Sequence, residues 1–195
     1  MSPRTKEQNE EIRIQRMNQI LSAAAEVYLR KGIMMEIRDV AAVAGLGYGT
    51  VYHYYKNKFA LLDDLLWQAF ERGEKLTQET LPGTLSSDSP TERLKIYATG
   101  LLEAFMAEHS VFILYKMITE NFYPLDRTRF TKLHDSFRDR LYRPVVELAG
   151  SSTEDPEHFA NMLFGSLVGY AGLHIYHGNK LRDKEQIIEL LMKAL

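Results

Sequence analysis

Between Ile37 and Lys58 the chain reads IRDVAAVAGLGYGTVYHYYKNK, two apolar-periodic stretches separated by Gly45-Leu46-Gly47. Isolated helices shorter than about 12–15 residues are marginal in water, so stretches this short persist only when packed on each other and on a further helix. Glycine reaches the backbone angles that a tight turn needs. The pattern therefore predicts a helix from Ile37 to Ala44, a turn, and a second short helix from Tyr48 to about Tyr55.

The rest of the chain is consistent with that local demand. Apolar residues recur at helical spacing almost throughout, and no segment alternates like a strand beside hairpin turns. An all-α fold of about nine helices is expected. The first should run from about residue 10 to 31, with Ile14, Met17, Ile20 or Leu21, Ala24 and Val27 or Tyr28 on one stripe and Gly32 as the stop. Asn57 can cap a long helix that carries Leu61, Leu62, Leu65, Leu66, Ala69 and Phe70. After a loop over residues 81–88, Ser89-Pro90-Thr91-Glu92 reads as a capping box with proline at the first helical position. A further helix spans roughly 110–121. Asp126 can cap the next, which stops at Gly150 and should kink between Arg140 and Pro144, because proline offers no N–H to the turn before it. Asp155-Pro156 opens a helix closed near Gly178, and Asp183 with Gln186 caps the last. Three helices are complete within residues 1–58, which sets a small N-terminal domain against a helical body over residues 59–195.

Composition narrows the setting. A hydrophobic content of 45% supports a true core. The absence of cysteine excludes disulfides and thiolate zinc sites. No signal-peptide stretch and no run near the roughly 20 apolar residues of a bilayer span is present, so a soluble, cytoplasmic protein without membrane contact is expected. Net charge is −2, divided as +3 over residues 1–58 and −5 over the remainder: a small basic module on an acidic body.

The segment 37–58 has the layout of a helix-turn-helix, in which the first helix braces and the second enters the DNA major groove. Val40, Ala41, Ala44, Leu46, Val51 and Tyr55 are spaced to form its core. Tyr48, Thr50, Tyr52, His53 and Tyr54 would then point outward. Hydroxyls and imidazole bond phosphates or base edges, and Gly49 lets backbone approach the duplex. Lys56 and Lys58 suit phosphates. Four tyrosines and a histidine within eight residues cannot all be buried in so small a subdomain with their polar atoms satisfied, which argues against a mere packing helix.

These residues resemble the DNA-binding region of the TetR (tetracycline repressor) family of bacterial transcriptional regulators. The resemblance runs from Ile20-Leu21-Ser22-Ala23-Ala24 through Gly32, Asp39-Val40-Ala41, Ala44-Gly45-Leu46, Gly49-Thr50-Val51-Tyr52 and Tyr54-Tyr55 to Lys58 and Leu61-Leu62, and covers residues 14–66. It implies DNA contacts at Tyr48, Gly49, Thr50, Tyr52, His53, Tyr54 and Lys58, with Arg38 on the backbone. It also implies a double-stranded DNA operator and a small-molecule effector as partners, a homodimer, and a C-terminal ligand-binding and dimerisation domain. Two positions depart from the pattern. Gly32-Ile33-Met34-Met35-Glu36 is one residue short and lacks the usual hydroxyl cap, and Gly47 stands where serine is common.

Aromatic residues crowd the helices between 91 and 177. Among them Tyr97, Phe105, Phe112, Tyr115, His134, Phe137 and Tyr170 are candidate pocket residues for a flat or apolar effector. Gly165, Gly169 and Gly172, followed by Tyr176, leave one helix face bare of large side chains. Such a face admits close helix approach and, with Ile187, Leu191 and Leu195, is a candidate dimer surface.

An enzyme would need a nucleophile with its base, a phosphate-cradling glycine loop or a ligand cluster, and none is legible. The glycines at 45–49 lie between helices. No cofactor is expected, and His174 with His177 supply two metal ligands without a third. The competing reading is a helical interaction scaffold without regulated DNA binding.

Overall fold

The computed structural model describes residues 6–82, 89–122, 125, 127–178 and 184–195. Asp126 and Asp183, expected as caps, and loop positions 83–88 lie outside them. The described elements are helical, in the order α1 (Lys6–Lys31), a 3-10 turn (Gly32–Met34), α2 (Ile37–Ala44), α3 (Tyr48–Tyr54), α4 (Lys58–Thr80), α5 (Pro90–Ala107), α6 (His109–Thr119), a 3-10 turn (Arg127–Phe130), α7 (Thr131–Phe137), a π segment (Arg138–Tyr142), α8 (Arg143–Ala149), α9 (Pro156–His177) and α10 (Lys184–Ala194). Because α7, the π segment and α8 are one continuous run, the described residues form nine helical rods, as the periodicity predicts.

The chain divides into two compact units, Met1–Leu66 and Trp67–Leu195. In the first, α2 packs on α1 and α3 on α2. Ile20, Ala24, Val27, Met35, Val40, Ala41, Val51, Tyr55, Leu61, Leu62, Leu65 and Leu66 are buried there. In the second, α5 packs against α6, α8, α9 and α10, while α9 also meets α6 and α8. The portion of α4 beyond Leu66 joins that body through Arg72 on Glu108 at 2.7 Å, the Glu74–Arg140 ion pair, and Leu76 beside Gly100.

Helix boundaries follow from local chemistry. Asn57 Oδ1 accepts from the N–H groups of Phe59 and Ala60 at 3.0 and 2.9 Å, opening α4. Ser89 and Asp155 accept from the N–H groups of Glu92 and His158, each ahead of a proline in the first turn. Gly178 closes α9 in the left-handed conformation, φ +63°. The kink expected at Pro144 takes a specific form. Proline cannot donate to the Arg140 carbonyl, and the helix absorbs this by widening over Arg138–Tyr142, where Arg143 N–H reaches back to the Arg138 carbonyl.

Candidate DNA interface and effector pocket

The turn between α2 and α3 sets the recognition helix. Gly45 is left-handed, φ +65°, and its N–H and that of Leu46 close on carbonyls of α2. Gly47 is extended, φ −63°, a conformation open to any residue, so only the first of the two glycines is needed for the turn. The last carbonyl of α2, on Ala44, accepts from Gln19 Nε2 of α1 at 2.7 Å, which ties turn to brace. Val51, fully buried, then pins α3 by its inner face.

What α3 turns outward is polar and aromatic. Tyr48 and Tyr52 are 54% and 41% exposed, and their rings stack at 5.6 Å, one helical turn apart. Thr50 and His53 are exposed, and no atom stands within 4 Å of where a Gly49 side chain would project. Tyr48 and Tyr52 share a groove with Arg38, Lys56 and Lys58. The Lys56 ammonium lies 4.7 Å from the Tyr52 ring centroid. Glu36 lines the same groove and pairs with Lys58, so Arg38 and Lys56, beside two phenols and an open backbone, are the cations suited to phosphate oxygens.

Not every expected side chain stands free on this face. Tyr54 is half-buried with its ring edge-on to His53. Lys58 donates to the Ile33 carbonyl at 2.7 Å and lies 3.8 Å from Glu36 Oε1, holding the start of α4 to the α1–α2 connection. Leu46, expected in the core, is half-buried. At the edge that lacks the hydroxyl cap, Asp39 substitutes: its carboxylate accepts from the Glu36 N–H at 3.0 Å and from Lys31 Nζ at 2.7 Å. Those bonds, that to Lys31 first, hold the Asp39 carboxyl below its ordinary pKa.

In the second unit the aromatic residues separate into two groups. Tyr97, Phe105 and Phe112 are packed core: Phe105 meets Phe112 and Tyr115 edge-on at 5.9 and 5.1 Å, and Tyr97 meets Phe164 at 6.4 Å. The Tyr97 and Tyr115 hydroxyls share a buried hydrogen bond at 3.3 Å, and desolvation pushes the Tyr97 phenol up to about 12 and Tyr115 upward as well. Tyr115 and Phe137, in contrast, form walls of a cavity of about 350 Å³ with Ile118 and Phe164. Its polar lining is Thr119, His134, Arg138, Tyr142 and Asn161. Of the candidate pocket residues, Tyr115, His134 and Phe137 converge here, while Tyr97, Phe105 and Phe112 lie in the core and Tyr170 rests against the buried His174 on α9. Sequence reasoning missed Ile118, Thr119, Arg138 and Asn161. Only Arg138 had a signal, its place one turn ahead of the proline-bearing stretch.

The glycine face of α9 divides as well. Around Gly165 and Gly169 there is open space, but a side chain at Gly172 would meet Phe112 of the same chain at 3.7 Å. Met162, Leu173 and Tyr176 flank the open glycines on α9 and are about half exposed, and Leu190 on α10 is 63% exposed. Ile187 and Leu191 are half-buried beside it.

Residues 20–65, which contain α2, the turn and α3, match the family model described as bacterial regulatory proteins, tetR family. Over those residues the chain is similar to the TetR family. The chain is 27% identical over 134 residues to the HTH-type transcriptional repressor KstR2 of Rhodococcus jostii, and 22% identical over 133 residues to the KstR2 of Mycolicibacterium smegmatis. Those alignments cover 68% of this chain and 64% and 63% of the two repressors, so the chain matches somewhat less than two thirds of their length. The fold is that of a TetR-like transcriptional regulator from Rhodococcus sp. RHA1, with TM-score 0.69 and 23% identity over 91% of this chain and 93% of that one. It is also that of AibR in complex with isovaleryl coenzyme A and operator DNA, with TM-score 0.69 and 18% identity over 92% and 97%. Among the described residues, no helix is long and apolar enough to cross a membrane.

Proposed function

We propose that this chain is a TetR-type transcriptional repressor that binds a palindromic operator as a homodimer and is released by a small-molecule effector. The observation that carries the reading is the outward face of α3. Tyr48, Thr50, Tyr52 and His53 surround an unobstructed Gly49, on a helix pinned by Val51, with Arg38 and Lys56 beside them. Burying that face inside the chain would leave phenols and imidazole unsatisfied, whereas a major groove offers phosphates, base edges and thymine methyls. Tyr54 and Lys58 complete the proposed contact set. The DNA-reading elements lie within residues 1–58, and the effector and dimer elements within 59–195.

Two features support the remaining parts. The open glycine face on α9, flanked by the exposed Met162, Leu173 and Tyr176, is an apolar surface suited to a second copy of the chain, which would place two α3 helices on two half-sites. The 350 Å³ cavity supports an effector, and a neighbour in fold, AibR, is bound to isovaleryl coenzyme A and operator DNA together. Effector binding would release DNA if the ligand prefers a conformation that the operator-bound dimer does not adopt. Selection from a random duplex library tests the reading. A two-fold symmetric site should be enriched; a library that stays random, or yields only salt-insensitive binding, overturns it.

A further inference from the structure

The cavity in the second unit has a chemistry specific enough to name its ligand class. Its apolar walls are rings, Tyr115, Phe137 and Phe164, mutually tilted or edge-on with centroids 4.9 to 6.3 Å apart. Such walls favour a ring-bearing body, whose faces and edges find complementary partners. At about 350 Å³ the space lies near the low end of small-molecule sites, roughly 300–1,000 Å³.

The polar end is set by hydrogen-bond accounting. The Tyr142 hydroxyl donates to Asn161 Oδ1 at 3.1 Å and approaches the Glu157 carbonyl at 3.3 Å, so it is used by its neighbours. With its oxygen taken, Asn161 offers the cavity its amide N–H groups. The Thr119 hydroxyl donates to the Lys116 carbonyl at 2.8 Å, which removes it as a donor. Arg138 holds Asp139 through Nε at 3.2 Å and lies 3.4 Å from Asp135 through one terminal nitrogen, leaving the N–H groups of its other terminal nitrogen. The donors left to the cavity are therefore the Asn161 amide and one Arg138 nitrogen, which a ligand's acceptor oxygen can meet, while the Thr119 and Tyr142 oxygens keep only acceptor lone pairs.

Charge chooses between kinds of acceptor. Asp135 and Asp139 both flank Arg138, Asp139 also binds Arg143 at 3.1 Å, and His134 Nδ1 sits 3.7 Å from Asp135. Arg138, which lines the cavity, is thus already paired with two carboxylates that do not line it, which weakens its pull on an incoming anion and favours an uncharged acceptor. The π segment brings this about. It places Arg138 and Tyr142 on one wall within a single widened turn, the kind of distortion that often marks a functional site.

We infer that the cavity binds a small, uncharged, ring-bearing carbonyl compound, the ring among Tyr115, Phe137 and Phe164 and the carbonyl oxygen accepting from Asn161 and Arg138. This rests on the effector reading for its regulatory meaning, but binding itself can be measured without DNA. The probes are acetophenone, its shape analogue isopropylbenzene, which lacks the oxygen, and benzoate, which adds the charge. Ligand-induced shifts in protein NMR spectra of the full chain should give dissociation constants about tenfold tighter for acetophenone than for either analogue. Asn161→Leu, at an exposed position, should remove that preference while leaving isopropylbenzene binding within about twofold. Equal binding of acetophenone and isopropylbenzene, tighter binding of benzoate, or no binding by any probe overturns the inference. Operator binding by the same sample, measured without ligand, separates the two readings. If it persists while acetophenone fails, the ligand class alone is wrong.

Discussion

Replacing Gly165 and Gly169 together by alanine separates a free helix face from a paired one. Both lie inside α9 with nothing within 4 Å of the added methyls in the isolated chain. On a free surface each change should stabilise the helix by about 1 kcal/mol, the difference in helix propensity between glycine and alanine. The pair would then raise the melting temperature by roughly 4–8 °C, taking about 2–4 °C per kcal/mol for a chain of this size. In a two-fold dimer the same methyls enter a packed interface from both sides. Overpacking costs about 1–3 kcal/mol per site, so the dimer should weaken by at least about 2 kcal/mol, roughly 30-fold in dissociation constant. Gly172→Ala is the control, because its methyl meets Phe112 of the same chain at an ordinary 3.7 Å. Sedimentation velocity over a concentration series reads the outcome. The expected result is a dimer weakened by the double change and indifferent to Gly172→Ala. A wild-type monomer, or a double variant that dimerises as tightly as wild type and melts 4–8 °C higher, refutes the proposed dimer surface.

Other perturbations test other levels of the account. Val51→Ala removes two methyl groups from a fully buried site and should destabilise the first unit by roughly 2–3 kcal/mol, seen in urea unfolding. Gly45→Ala meets no neighbour but forces a side chain to φ +65°, so it should cost about 1–2 kcal/mol through backbone strain alone, by the same assay. Alkaline unfolding should respond to Tyr97. Burial raises its folded pKa from 10.0 to about 12, so the stability it contributes is whole below pH 10 and is lost as pH rises through 12. Tyr97→Phe should therefore flatten the fall in urea midpoint over that range; an unchanged slope would show that the phenol is not held neutral by the fold.

The helical architecture was legible because its signals are local. Asn57, Ser89 and Asp155 advertise caps by residue type, and the spacing of Val40, Ala41, Ala44 and Val51 names the inner faces of α2 and α3. Tertiary choices were not legible. Tyr97 and Tyr115 look alike in sequence, yet one is core and the other a cavity wall, because the difference lies in what α9 and the π segment bring opposite. Pro144 foretells a disturbance but not the widened turn that aims Arg138 into the cavity rim. Lys58 reads as a phosphate anchor, but its bond to the Ile33 carbonyl, far off in sequence, was not legible. Gly172 matches Gly165 and Gly169 in spacing, but only Phe112 reveals that it faces inward.

The central claim, that α3 reads DNA, is tested most directly by fluorescence anisotropy with a duplex from the chain's own upstream region over a range of salt. Wild type should bind specifically, with affinity falling log-linearly as salt rises. Tyr52→Ala should weaken binding by roughly 1–3 kcal/mol, and Lys56→Ala should lower the salt slope by about one. Wild-type affinity and slope in both variants, with the fold intact, would contradict the account.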